Sequence, residues 1–405
     1  MQEQQTFVIV GAGQAGGWVA LTLRSEGYAG RIVLIGSESH PPYERPPLSK
    51  GVLKGAETPH STYIATAEKL AEQNIECWFD ETVESIDRAG RVVRCASGRS
   101  LVYDTLFLTT GGSARKLPAL PEDGRTFYLR RIDDAIQLGE ALERARSVLV
   151  VGGGWIGLEV AATAAQAGKQ VAVVEMAPAL CVRSLPAEIS AFLEELHRAN
   201  GVAVRLGCAA TFEPHAEGVR ARLADGSVID ADLAVVGIGM VPHVELAQAA
   251  GLEVDDGIVT DEQGRTSDPR IFAAGDVANH PSRHAGRRLR LESWANAQNQ
   301  AMVAAKAALG GADGYHDIPW FWSDQYDVNL QILGLPPKDV QPVVRQYDER
   351  RKVYFYLEGG ALRSVIAVNA GRDIKIAKRW MTSGKMPAAA DLPDTSRDLQ
   401  KLPVS

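Results

Sequence analysis

Phe7-Val8-Ile9-Val10-Gly11-Ala12-Gly13-Gln14-Ala15-Gly16 is the stretch that decides the fold. Four consecutive apolar residues bounded by glycine read as a buried strand. Gly11, Gly13 and Gly16 follow at G-x-G-x-x-G spacing, and Trp18 to Gly27 carries helical spacing. Ile32 to Ile35 forms a second apolar strand, with Glu38 just beyond it. Each glycine has its own task. Gly11 permits a tight turn, Gly13 lets the backbone approach a pyrophosphate, and Gly16 lets the helix pack closely on the strand. The helix N-terminus then offers free N–H groups and a positive dipole to the phosphates.

The pattern recurs. Ser147 to Val151 reads as a strand, Gly152-Gly153-Gly154-Trp155-Ile156-Gly157 as the turn, and about Leu158 to Ala167 as the helix. Gly168 closes that helix, Val171 to Val174 is the next strand, and Glu175 ends it. One such turn is weak evidence, because glycine loops are common. Two copies, each in full strand–turn–helix–strand context, predict two dinucleotide sites. A carboxylate at Glu175 would accept hydrogen bonds from both ribose hydroxyls and repel a 2′-phosphate. Met176 and Ala177 follow, with no arginine to receive that phosphate, so NADH is favoured over NADPH. Arg183, farther on, weakens this preference or contacts the pyrophosphate instead. The first site is less tidy: Gly36 and Ser37 precede Glu38, which is either a ribose ligand or a solvated loop acid.

Working outward, Cys77 to Leu108 alternates strands with the turn pairs Ala89-Gly90 and Ser97-Gly98. After the second turn the scheme returns, with strands around Asp225-Gly226, then Leu233 to Val236, then Gly237-Ile238-Gly239. The halves read as an internal duplication. The 405 residues give two to three domains. A net charge of -7 argues against nucleic acid as the main partner. No run of about 18 apolar residues predicts a membrane span, and polar Met1 to Thr6 lacks a basic-then-apolar leader. A cytoplasmic protein is expected. Cys77, Cys95, Cys181 and Cys208 lack CxxC spacing and read as scattered reduced thiols. The eight histidines form no HxxH or HExxH motif, so no metal is expected.

Five further blocks carry a resemblance. They are Pro42-Tyr43-Glu44-Arg45-Pro46-Pro47-Leu48-Ser49-Lys50, Leu129-Arg130, the stretch from Ile271 to Val277, that from Glu292 to Gln300, and that from Pro319 to Gln325. With the two glycine turns they resemble the two-dinucleotide flavoproteins that include glutathione reductase and the oxygenase-coupled ferredoxin reductases. Within that class they are similar to the reductase components of aromatic ring-hydroxylating dioxygenases, of the biphenyl dioxygenase type. The resemblance covers nearly the whole chain.

It implies an α/β fold of two Rossmann-like, glutathione-reductase-like domains plus a C-terminal α+β domain. The FAD domain would take residues 1–113 and 242–318, the NADH domain 114–241, and the C-terminal domain 319–405. By the resemblance, Gly11, Gly13, Ala15 and Gly16 cradle the FAD pyrophosphate, and Ser37 or Glu38 meets its ribose. Arg45, Thr110, Gly111, Gly275 and Ser293 also line FAD. Val83 and Arg130 contact the adenine end or ribityl region, and Asp276 the ribityl chain. Trp294 and Trp320 flank the isoalloxazine ring. Gly152, Gly154, Ile156, Gly157, Glu159, Glu175, Arg183 and Gly239 serve NADH. Lys50, partnered by Glu159, reaches the flavin, so Lys50, Glu159 and Trp320 carry the catalytic roles. Two departures stand out. Ser37 replaces a common acid, and Trp155 is bulkier than the usual small aliphatic beside the nicotinamide.

An absence sets the chemistry. Disulfide reductases of this fold carry a CxxxxC pair near the flavin, but His40 to Leu53 contains no cysteine. Electrons would leave the flavin without a thiol relay, which suits a one-electron carrier such as a Rieske-type 2Fe-2S ferredoxin. The alternatives are a ferredoxin or rubredoxin reductase for a P450 or alkane monooxygenase, and an NADH-sensing flavoprotein like the apoptosis-inducing factors. Arg283, His284, Arg287, Arg288 and Arg290, and Arg372, Lys375, Lys378 and Arg379, read as solvated faces or as docking sites for an acidic ferredoxin. Ala388 to Ser405 reads as a loose polar tail, and the protein as monomer or homodimer.

Overall fold

The computed structural model describes residues 5–215, 218–337 and 339–404, and the chain folds into two compact units. The first takes residues 1–45, 59–113 and 240–317; the second takes 46–58, 114–239 and 318–405.

The first unit is built on a five-stranded parallel sheet. Its spatial order is Ile271–Ala273, Thr105–Leu108, Thr6–Val10, Arg31–Ile35 and Ile75–Trp78. Apolar runs suit strands buried on both faces, and alternate residues serve different cores. Phe7 and Ile9 join Val19 and Leu23 of the helix Gln14–Ser25 and the alanine-rich face of the helix Trp294–Ala308. Val8 and Val10 point the other way, onto Val83, Ile86 and Val93 of a three-stranded antiparallel layer. The turn pairs at 89–90 and 97–98 join the strands of that layer.

The second unit repeats the plan. Its parallel sheet runs Ala203–Arg205, Gln170–Val174, Ser147–Val151, Leu233–Val236 and Thr126–Phe127. Opening, second, third and closing strands hold the same relative places in both sheets, which is the signature of the duplication. The outermost place beside the closing strand is filled from opposite directions. It is taken by Ile271–Ala273, late in the chain, in the first sheet, and by Thr126–Phe127, early in the unit, in the second. Both helices start inside their glycine turns, at Gln14 and Trp155, earlier than the sequence suggests. Their buried faces outweigh the low helix propensity of Gly16, Gly17 and Gly157.

The C-terminal part of the second unit is an antiparallel sheet ordered Trp320–Gln325, Val328–Gly334, Ala361–Val368, Lys352–Glu358 and Val343–Gln346. The helix Gly371–Ser383 packs on it through Ile374, Ala377 and Trp380. The expectation of a loose tail at 388–405 is overturned over the described residues. Leu392, Leu399 and Leu402 are buried in the same core, each worth about 2 kcal/mol. Arg345, 1% exposed, donates to the backbone carbonyls of Leu392, Asp394 and Arg397 and to the Tyr347 hydroxyl. A buried guanidinium needs several acceptors, and the tail supplies three of them.

Candidate active site

In the first unit, Gly11 has φ +106°, and an added Cβ would collide with the Thr109 carbonyl. Gly16 packs against the Gly11 carbonyl with no room for a side chain. Gly13, the helix N-cap, is different: a Cβ there would meet only Arg45 Nη2, at 3.6 Å. Two glycines thus close the turn, while the third leaves open space under a guanidinium, which fits a pyrophosphate. Arg45 Nη1 donates to the Tyr43 hydroxyl (2.9 Å) and Nη2 to Glu38 (3.2 Å), while Tyr43 donates to Glu38 at 2.6 Å. Burial works against the Arg45 charge, but Tyr43, Glu38 and Asp276 outweigh it and raise its pKa.

Around this turn, Ser37 is exposed, so of the two ribose candidates Glu38 is the one built into a network. Ala15 is buried, and Gly275 approaches it so closely that a Cβ there would lie 2.9 Å from that of Ala15. Thr110 donates to the His243 carbonyl, and Gly111 accepts from the His243 amide. Ser293 caps the helix Trp294–Ala308. Val83 has its side chain in the apolar core. Two residues escaped the sequence reading as site formers. Gln14 donates to the Trp294 carbonyl at 2.9 Å, and Gln300 accepts from the Gly275 amide at 2.8 Å. Their only signal was membership of the glycine turn and of the block from Glu292 to Gln300.

In the second unit, Gly152 has φ +103°, and Gly157 packs on its carbonyl. Gly154 is again the open one, with only the Gly237 carbonyl near an added Cβ, at 3.7 Å. Glu175 accepts from the amides of Gly153 (2.6 Å) and Ala177 (2.7 Å), which ties the acid to the turn. Ile156 is 42% exposed beside it. The Arg183 guanidinium lies 3.6 Å from where a Gly239 Cβ would stand. Arg130 precedes the helix Ile132–Arg144, its amide bonded to Asp134.

The second unit also holds the buried ion pair. The short helix Pro46–Ser49 delivers Lys50, whose Nζ donates to Glu159 Oε2 at 2.6 Å. Glu159 is 3% exposed and lies on the helix Trp155–Gln166. Ser49 donates to the same oxygen, and Ser323 donates to Oε1 at 2.6 Å. A desolvated carboxylate persists only with such partners. Trp155 packs on Phe321, with centroids 4.9 Å apart, and Trp320 stacks on Trp322 at 5.0 Å. The extra bulk of Trp155 is therefore held by the C-terminal sheet.

One basic run is largely spent internally. Arg283 pairs with Glu262, Arg288 donates to the Thr260 and Asn279 carbonyls, and Arg290 pairs with Asp256 and Glu292. By contrast, Lys375, Lys378 and Arg379 are exposed on the helix Gly371–Ser383. Arg372, exposed on the same helix, donates to Gln400 at 3.1 Å and lies 3.7 Å from the Asp398 carboxylate. Burial raises the Cys77 thiol pKa to about 11 and pushes those of Cys95 and Cys181 up as well. Such thiols are poor nucleophiles at neutral pH.

Two glycine turns of this geometry, each with its acid and its parallel sheet, define a protein that binds two dinucleotides. Residues 5–301 match the family described as pyridine nucleotide-disulphide oxidoreductase, and residues 320–403 match the reductase C-terminal family. The chain is 42% identical over 404 residues to the "Anthranilate 1,2-dioxygenase system ferredoxin--NAD(+) reductase component" of Burkholderia cepacia, covering 97% of this chain and 98% of that one. Among solved structures it is similar to the covalent putidaredoxin reductase–putidaredoxin complex, with 38% identity, TM-score 0.94, and 98% and 97% of the two chains covered. It is also similar to the ferredoxin reductase for the CYP199A2 system from Rhodopseudomonas palustris, with 40% identity, TM-score 0.93, and 98% and 99% covered. The chain belongs to the pyridine nucleotide-disulphide oxidoreductase family, whose members use FAD and NAD(H).

Proposed function

We propose that this chain is an NADH-dependent ferredoxin reductase that serves a Rieske-type 2Fe-2S ferredoxin of an aromatic ring-hydroxylating dioxygenase. The observation that carries the reading is the near full-length likeness to a ferredoxin–NAD(+) reductase of a dioxygenase system. The raised thiols and the cysteine-free stretch from His40 to Leu53 support electron exit without a thiol relay.

Bound FAD would supply the chemistry no side chain offers, taking a hydride and releasing electrons singly. Gly11, Gly13 and Gly16 with the helix N-terminus bind its pyrophosphate, Arg45 neutralises that charge, and Glu38 meets its ribose. Thr110, Gly111, Gly275, Asp276 and Trp294 complete that binding face. Gly152, Gly154 and Gly157 bind NADH, Glu175 selects it against NADPH, and Arg183 with Gly239 holds its pyrophosphate. Lys50, oriented by Glu159, supplies a fixed positive charge where negative charge develops. Trp320 shields the reacting atoms from water.

Anaerobic stopped-flow mixing tests this. NADH should bleach the yellow protein rapidly, and a Rieske-type ferredoxin should then restore the colour. The CYP199A2 system named for one of the similar structures favours a second reading, in which the partner is a P450-type 2Fe-2S ferredoxin. Faster reoxidation by that carrier would establish it. Bleaching that persists with every ferredoxin would overturn both.

A further inference from the structure

We propose that Ser323, Gln325 and His197 are positioning residues, a one-way chain of hydrogen-bond donors that fixes the Glu159 carboxylate and, through it, the Lys50 ammonium. The inference rests on the role given to Lys50 above. Every member lies in the second unit.

The strand Trp320–Gln325 alternates faces. Trp320 and Trp322 stack on one side, while Ser323 and Gln325 are buried on the other, 1% and 3% exposed. Ser323 Oγ spends its proton on Glu159 Oε1 at 2.6 Å. It therefore accepts from Gln325 Nε2, at 3.1 Å. That turns Gln325 Oε1 toward His197 Nε2, at 2.8 Å. The imidazole must then carry its proton on Nε2, leaving Nδ1 to accept from the Tyr326 hydroxyl at 3.0 Å. Each link has only one consistent direction, and all of them run toward the carboxylate. Aligned bonds polarise one another in a dry interior.

Three observations favour a positioning role over simple satisfaction of buried groups. The chain terminates on an ion pair whose lysine side chain is still 18% exposed, while the glutamate is 3% exposed. His197 is fully buried on the helix Ala187–Ala199, and burial pushes its pKa down, which keeps it in the neutral form the chain requires. Tyr326 has φ +57° because it opens the two-residue turn between the paired strands Trp320–Gln325 and Val328–Gly334, so the hairpin fixes the backbone of the residue whose hydroxyl reaches His197 Nδ1.

Four variants of the FAD-loaded protein test the proposal: Ser323→Ala, His197→Leu, His197→Gln and Lys50→Ala. Each is mixed anaerobically with NADH at several concentrations, with thermal unfolding measured alongside to confirm folding. Ser323→Ala removes the last donor. It should lower the limiting rate of reduction about tenfold, with the apparent Kd for NADH within about twofold of wild type. His197→Leu should act in the same direction, about threefold, and His197→Gln should restore the rate, because its amide can donate from the Nε2 position. Long-range 1H–15N correlation spectra should show the His197 ring neutral and protonated at Nε2. A Nδ1-protonated ring would overturn the proposal. So would Ser323→Ala and His197→Leu reducing like wild type while Lys50→Ala is slow. If Lys50→Ala is itself as fast as wild type, the role of Lys50 fails and this inference falls with it.

Discussion

Glu38 and Glu175 stand beyond the second strand of their respective sheets, but they are held differently. Glu175 is gripped by two backbone amides of its own turn, so its position follows from the loop. Glu38 depends on two side chains, Tyr43 and Arg45. Glu175→Ala removes the acceptor and orphans two amides, a loss of about 1.5–3 kcal/mol for a charge-assisted bond. The apparent Kd for NADH should rise at least tenfold, while that for NADPH should fall or stay constant. A parallel loss for both cofactors would remove the selectivity role. The position of Glu175 was legible in the sequence because the acid directly ends a strand. The choice between Ser37 and Glu38 was not, because it turns on the Tyr43 hydroxyl, which no spacing rule brings in.

His280 makes a stability prediction. Burial pushes its pKa down to about 4, and it packs edge-on against Tyr315. In the unfolded chain it titrates near 6.5. The folded pKa is the lower one, so the unfolded state binds the extra proton between the two values. Stability is intact above about pH 6.5 and is lost as pH falls toward 4. The residue should cost about 2 kcal/mol at pH 5 relative to pH 7. Chemical denaturation of His280→Asn across that range should show a flatter pH dependence than wild type.

At the scale of elements, the glycine turns were readable because a few adjacent residues fix their conformation. The C-terminal tail was not, because its anchor is remote. Arg345 lies 47 residues before Leu392, and the leucines that dock the tail are too sparse for a periodic pattern. Arg345→Met should cost more than about 3 kcal/mol, since three carbonyls and a hydroxyl lose a charged donor in a dry place. Limited proteolysis should then cut within residues 388–404 while the sheet that begins at Trp320 survives. A tail as resistant as wild type would refute the clamp. The polar chain to Glu159 was hidden for the same reason: His197 and Gln325 are 128 residues apart.

For the whole molecule, the duplication was legible, since both halves carry the same order of strand, turn, helix and strand. The charge layout was only half legible. The net charge is -7, and the run around Arg283 to Arg290 is consumed by local partners. Arg372 is likewise partnered, by Asp398 and Gln400, so under the proposed function the exposed Lys375, Lys378 and Arg379 are the cations that would steer an acidic ferredoxin. Reversing Lys375 and Lys378 to Glu should slow ferredoxin reduction severalfold at low salt and flatten its ionic-strength dependence, with reduction by NADH unaffected. An unchanged salt profile would place docking elsewhere.

The two sheets also differ in when they can be finished. The second has all five strands once residue 236 has been made, whereas in the first the strand Thr105–Leu108 waits for Ile271–Ala273, about 160 residues later. At ribosomal speeds of about 5–20 residues per second, that leaves a hydrophobic strand edge bare for roughly ten to thirty seconds. The nascent chain therefore carries an adhesive edge through the middle of its synthesis. Slow translation between residues 109 and 270 should make chaperone occupancy, more than any property of the finished protein, the limit on soluble yield.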